Sequence, residues 1–227
     1  MDFLNLEKKI GVVFKNKDLL KEALTHRSYL NENPSAGSGR DNERLEFLGD
    51  SVLELITSEF LFQTYLDQPE GQLTVLRASL INYQTLAKVA REIDLEKYLL
   101  LSKGEARDLG KARETILADA LEALLAAIYL DQGYPASQNF VRQFLWPQLE
   151  EIITKGLFRD SKSALQEIAQ EKFKLTPTYK VLEESGPDHQ KVFRVGVYFG
   201  EKLIAEGQGG SKQEAEINAA DQTLASL

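Results

Sequence analysis

The chain has 227 residues, with 27 Lys and Arg against 35 Asp and Glu, a formal net charge of -8, 43% hydrophobic residues and no cysteine. That apolar share supplies a real core and excludes disorder and collagen-like repeats, while the absence of cysteine excludes disulfides, thiolate metal sites and a cysteine nucleophile. No apolar run approaches membrane-spanning length, and Glu7, Lys8 and Lys9 stand where a signal peptide needs its apolar stretch, so the expectation is a cytoplasmic protein without a membrane partner.

From residue 1 to about 155, apolar residues recur at three and four, the period of helices. Asp41 to Phe62, Leu76 to Ile93 and Glu114 to Leu130 each read as one helix, separated by turn-rich segments at Asn31 to Arg40, Asp67 to Gly71 and Gly104 to Gly110. After Gly156 the pattern changes. Residues 161–174 put Leu165, Ile168, Ala169 and Phe173 on one helical face before Thr176 and Pro177 end it. Thr178 to Ser185 and Lys191 to Phe199 then read as a hairpin turning at Gly186-Pro187-Asp188, followed by a short strand near Leu203 to Glu206. Ser211-Lys212-Gln213-Glu214 is a capping box opening a last helix. The expected fold is an all-α domain, residues 1–155, followed by a small α+β domain, residues 160–227, of order α-β-β-β-α.

Two acidic sets stand out. In NERLEFLGDSVL, Glu43, Glu46 and Asp50 fall on one helical stripe among Leu45, Phe47, Leu48, Val52 and Leu53, whose apolar character predicts burial for much of this helix. In ILADALEALLAAIYL, residues 116–130, Asp119 and Glu122 are the only charged side chains and again share a face. Carboxylates on apolar helices need compensation. A hard divalent ion such as Mg²⁺ or Mn²⁺ suits oxygen ligands; the alternative is pairing with Arg or Lys from neighbouring helices, or capping of local backbone.

NERLEFLGDSVL resembles the signature of the ribonuclease III family. LTHRSY at 24–29, GQLTVLRASLINYQTLAKVA at 71–90 and ILADALEALLAAIYLDQG at 116–133 agree with it, and the tail resembles a double-stranded-RNA-binding domain. The resemblance covers nearly the whole chain in the right order. It implies a ribonuclease III, an Mg²⁺-dependent hydrolase in which Mn²⁺ substitutes and no organic cofactor takes part. Such an enzyme cuts duplex RNA as a homodimer, leaves 5′-phosphate and 3′-hydroxyl ends with short 3′ overhangs, and processes structured ribosomal precursors and messenger transcripts. Carried onto this chain, the family's metal-binding carboxylates are Glu46, Asp50, Asp119 and Glu122, with Asp50 and Glu122 the least replaceable for catalysis. Glu43 matches an accessory acidic position, and Phe47 an aromatic that packs into the partner subunit; the other reading of Phe47 is an ordinary core residue. His26, in LTHRSY, reads as a packed, hydrogen-bonded side chain without a catalytic role.

In the tail the resemblance assigns RNA contacts to Ser163, Gln166 and Glu167 on the first helix, to Gly186, Pro187 and His189 in the hairpin loop, and to Ser211 and Lys212 at the last helix. Duplex RNA is read there by shape, through 2′-hydroxyls and phosphates. This chain departs from the expected basic cluster by Gln213 and Glu214. Residues 160–227 carry eight Lys and Arg against eleven Asp and Glu, a net of -3, which predicts weak binding with a shallow salt dependence. Leu109-Gly110 stands where the family commonly has a Gly pair. A second basic patch, Lys103, Arg107, Lys111 and Arg113, precedes the second acidic helix. The rival reading is a catalytically silent double-stranded-RNA-binding scaffold; a binder without chemistry to perform has no reason to keep four carboxylates on apolar helices.

Overall fold

The computed structural model of the chain describes residues 3–34, 39–107, 110–154, 161–187 and 191–227, the side chains of Lys111 and Ser163 excepted. Contacts divide it into two compact units, Met1–Phe158 and Arg159–Leu227.

In the first unit the helices described are α1 (Leu4–Ile10), α2 (Lys17–Ala23), α3 (Arg27–Glu32), α4 (Glu43–Thr64), α5 (Glu70–Leu80), α6 (Tyr83–Glu92), α7 (Lys111–Gln132), α8 (Tyr134–Phe144) and α9 (Trp146–Thr154). The centre is α7. Leu117, Ala120, Leu121, Ala123, Leu124, Ala126 and Ala127 are all buried, so this helix is covered around most of its girth; α4, α6, α8 and α2 pack around it. Its many alanines keep the girth small, which lets neighbouring backbones come close. Leu61, Leu76, Leu80, Leu149 and Ile152 make a smaller apolar cluster at the α5 and α9 end.

Two expectations are corrected here. The run Leu76 to Ile93 is not one helix. It breaks between α5 and α6, where the Asn82 side chain accepts the Thr85 N–H at 2.9 Å and starts a new helix as its N-cap. The apolar period runs across the break although Leu76 and Leu80 of α5 join the smaller cluster and Leu86, Ala87, Val89 and Ala90 of α6 join the main core. Phe47 is not buried with its neighbours either: it is 79% exposed, while Leu45, Val52 and Leu53 lie in the core.

The second unit comprises α10 (Ser161–Phe173), β1 (Thr178–Ser185), β2 (Val192–Phe199), β3 (Lys202–Gly209) and α11 (Lys212–Ser226). The strands form an antiparallel sheet of order β1-β2-β3, with Val181 opposite Val195 and Val197 opposite Ala205. Strand β3 runs longer than Leu203 to Glu206. Its Gly207 lies under α11, where a Cβ would overlap the Ala219 nitrogen. Leu165, Val197, Ala219 and Ala220 form the core between sheet and helices, with Tyr179 and Phe199 against it. The architecture is the expected α-β-β-β-α.

Candidate metal centre and RNA-binding unit

The two acidic helices meet at a glycine. A Cβ added at Gly49 would overlap the backbone carbonyl of Glu122 and stand 3.1 Å from its Cα. Only a residue without a side chain permits that approach, and it sets α4 directly against α7. The consequence falls one turn away. Glu46 on α4 and Asp119 on α7 join Glu122, and carboxylate oxygens of all three lie within 4.8 Å of one another. All three side chains are half-buried.

Three carboxylates this close repel, and burial adds to the cost of their charge. Burial is the largest cause holding Glu122 up at about 8, followed by Asp50, Asp119, Glu46 and Glu54. Glu46 is raised by burial, then by Asp119, Glu43, Asp50 and Asp41. Asp119 is raised by burial, with His26 pulling the other way. No Lys or Arg pairs with Glu46, Asp119 or Glu122 among the described residues. Among the described residues, then, neighbouring basic side chains do not neutralise the triplet. A half-buried, oxygen-only set with no protein cation matches a hard divalent ion.

The remaining acidic residues take different places. Asp50 is exposed and outside the close triplet, though near enough to act on both Glu46 and Glu122. Glu43 is exposed and meets Arg27 at 3.3 Å. Glu54 is missing from the sequence reading, yet it acts on Glu122 from one turn beyond Asp50; the signal is the continued spacing of four from Asp50 along α4. His26 caps α3, its Nδ1 accepting the Ser28 N–H at 3.3 Å and lying 2.8 Å from Ser28 Oγ, in keeping with a packed, hydrogen-bonded residue.

In the second unit, Gln166 and Glu167 are exposed on α10. Gly186, at φ +89°, and Pro187 lead out of β1, while His189 lies outside the described residues. Ser211 is the N-cap of α11, accepting the Glu214 N–H at 3.1 Å, and the Glu214 carboxylate accepts the Gly210 N–H at 2.7 Å. Ser211 thus makes the N-cap half of the expected capping box, while Glu214 reaches back one residue further, to the Gly210 amide rather than the Ser211 amide. Lys212 is exposed, its Nζ 5.6 Å from the centre of the Phe193 ring.

The chain thus carries an α-helical unit whose gathered carboxylates could hold a hard cation, and a separate α-β-β-β-α unit. A Ribonuclease-III-like family profile matches residues 16–149 and a double-stranded RNA binding motif matches residues 161–227. "Ribonuclease 3" of Borreliella afzelii is 45% identical over 96% of this chain and 88% of that protein; its counterpart in Desulforamulus reducens is 48% identical over 95% and 87%. The crystal structure of the nuclease domain of ribonuclease III from Campylobacter jejuni superposes with a TM-score of 0.58 at 37% identity, covering 65% of this chain and 95% of that one. The chain belongs to the ribonuclease III family.

Proposed function

We propose that this double-stranded-RNA endoribonuclease works through Mg²⁺ held by Glu46, Asp119 and Glu122, with Asp50 completing the site from its exposed edge. The observation that carries the proposal is the half-buried triplet, which no Lys or Arg among the described residues neutralises. When bound, the ion supplies an activated water and charge for the departing 3′ oxygen. The protein's part is to hold the oxygens in place: the Gly49 crossing sets the separation of α4 from α7, and the buried flanks of both helices keep the carboxylates from relaxing apart. Glu122, raised to about 8 chiefly by burial, would hold the ion as a carboxylate, with its proton released to solvent. No side-chain nucleophile is required, and the products carry 5′ phosphate and 3′ hydroxyl. Mn²⁺, with the same preference for oxygen, substitutes.

The division of labour follows the sequence: residues 1–155 cut, and residues 160–227 bind the duplex through Gln166, Glu167, Gly186, Pro187, Ser211 and Lys212, with Ser163 and His189 completing the surface. The active form is a homodimer. Support comes from the exposed apolar stripe Phe47, Leu55 and Phe62 on α4, and from a related nuclease domain of Campylobacter jejuni ribonuclease III, whose structure is described as flexible in a region involved in dimer formation. Two such subunits cut opposite strands and leave short 3′ overhangs. Structured ribosomal precursors and messenger transcripts in the cytoplasm are the substrates; no helix among the described residues is long and apolar enough to cross a membrane.

The test is cleavage of a long, end-labelled RNA duplex with Mg²⁺, with Ca²⁺ or with chelator, beside Glu122→Gln. Short duplex products with Mg²⁺ and wild type alone are expected. Cleavage by Glu122→Gln at the wild-type rate sinks the site assignment, and binding without cleavage by the wild type supports the silent scaffold.

A further inference from the structure

The basic side chains of the second unit are largely engaged by the unit itself. On the sheet, Arg194 meets Glu183 at 3.0 Å and Glu206 at 3.2 Å, Lys191 meets Glu184 at 3.7 Å, and Lys180 lies 4.8 Å from the centre of the Tyr198 ring. The helical side is organised differently. Lys162, on the first turn of α10, places Nζ 2.6 Å from Glu216 Oε2 on α11 and 4.8 Å from the centre of the Tyr179 ring. Lys212 and Glu216 are four residues apart on α11 and so share one of its faces. Glu216 is thus held by Lys162 from α10, one turn along α11 from Lys212.

We propose that Lys162 is a phosphate-contacting residue of the RNA-binding unit and that Glu216 is its internal competitor, setting the affinity for duplex RNA below what the two lysines would otherwise give. The inference rests on the reading of α10 and the start of α11 as the RNA face. The Lys162 and Glu216 side chains are 35% and 26% exposed, so their attraction is less screened than that of a fully exposed pair. A phosphate arriving at Lys162 meets an ammonium group already paired with a carboxylate. To use Lys162 it must displace Glu216, whose charge then repels the incoming strand. The Tyr179 ring, its centre 4.8 Å from the Lys162 ammonium, attracts it independently of Glu216, so neutralising Glu216 leaves the lysine with one partner and its charge available. Glu214 does not compete in this way, because its carboxylate is occupied by the Gly210 amide.

The experiment measures binding of the full chain, in a Glu122→Gln background that prevents cutting, to a blunt RNA duplex of about 30 base pairs, longer than the roughly 16 that one such domain spans. Glu216→Gln is expected to tighten binding about fivefold near 0.1 M salt and to steepen the plot of log affinity against log salt by about one, the signature of one added phosphate contact. Lys162→Met combined with Glu216→Gln is expected to erase that gain. Glu201→Gln, an exposed position in the β2–β3 turn, controls for the general effect of removing one negative charge. A gain from Glu201→Gln equal to that from Glu216→Gln, or a gain that survives Lys162→Met, overturns the inference. Lys212→Ala separates this failure from that of the reading beneath it: unchanged affinity there removes α11 from the RNA face, whereas weaker binding there with no gain from Glu216→Gln defeats the competitor role alone.

Discussion

At the scale of the residue, Glu122 couples metal, proton and stability. Its folded value of about 8 stands against an ordinary value of 4.5, so between these two the metal-free folded protein keeps a proton that the unfolded chain has lost. Stability then falls as pH rises through that window, the slope following the proton difference between unfolded and folded states. Asp119 and Glu46, also raised, act in the same direction. With chelator present, the melting temperature is expected to drop by about 3 °C or more from pH 6 to pH 8.5, given that 1 kcal/mol is worth about 2–4 °C at this size. Adding Mg²⁺ at pH 8.5 should recover it, because an ion that binds only the folded state stabilises it. Glu122→Gln should flatten most of the pH dependence. Scanning calorimetry of both proteins at the two pH values decides the matter, and parallel profiles for wild type and variant would remove Glu122 from this role.

At the scale of the element, the crossing of α4 and α7 determines whether four well-placed acids become a site. Gly49→Ala adds one methyl where the Glu122 carbonyl already stands, so the helices must part. Alanine is the better helix former by about 1 kcal/mol, but overpacking against backbone outweighs this, and a net loss of roughly 2–4 kcal/mol is expected in chemical denaturation. Cleavage should fall more steeply than stability, because the triplet widens with the crossing; a variant as stable and as active as wild type would show that the approach is not needed. The acids themselves are legible in the sequence, since the helical period carries the spacings of Glu43, Glu46 and Asp50 and of Asp119 and Glu122. Distance between two helices is not carried by the spacing along either one. That is why the sequence cannot distinguish Asp50, outside the close triplet, from Glu46 within it, and why Gly49 reads only as a helix residue of low propensity. The split at Asn82 escapes for a related reason: apolar period reports that a face is buried and not what it is buried against, and α5 and α6 join different clusters. In the second unit the alternation of Phe193, Val195, Val197 and Phe199 makes β2 legible, and the capping box marks the start of α11 to the residue.

At the scale of the whole molecule, the proposed homodimer is tested on the exposed side of α4. Phe47, Leu55 and Phe62 are 79%, 60% and 71% exposed, and at spacings of eight and seven they fall within one quadrant of the helix. Beside them, Leu55, Phe62, Leu73 and Arg77 line a groove of about 460 Å³ between α4 and α5. Large apolar side chains clustered on one face at this exposure mark an interaction surface. Glu46 of the triplet stands on the same helix as this stripe, so a subunit docked along α4 would bring two cutting sites into one assembly, as cleavage of both strands requires. Phe47→Asp tests this. The side chain is mostly in water in the single chain, so unfolding stability should change by no more than about 0.5 kcal/mol. A buried charge in place of an aromatic anchor should instead weaken self-association by about 30-fold or more, the scale of a hot-spot residue. Sedimentation velocity across a concentration series is expected to show a wild-type dimer and a largely monomeric variant, with duplex cleavage falling in step with the dimer fraction. A wild type that sediments as a monomer at the concentrations where it cuts would leave the α4 stripe without this role.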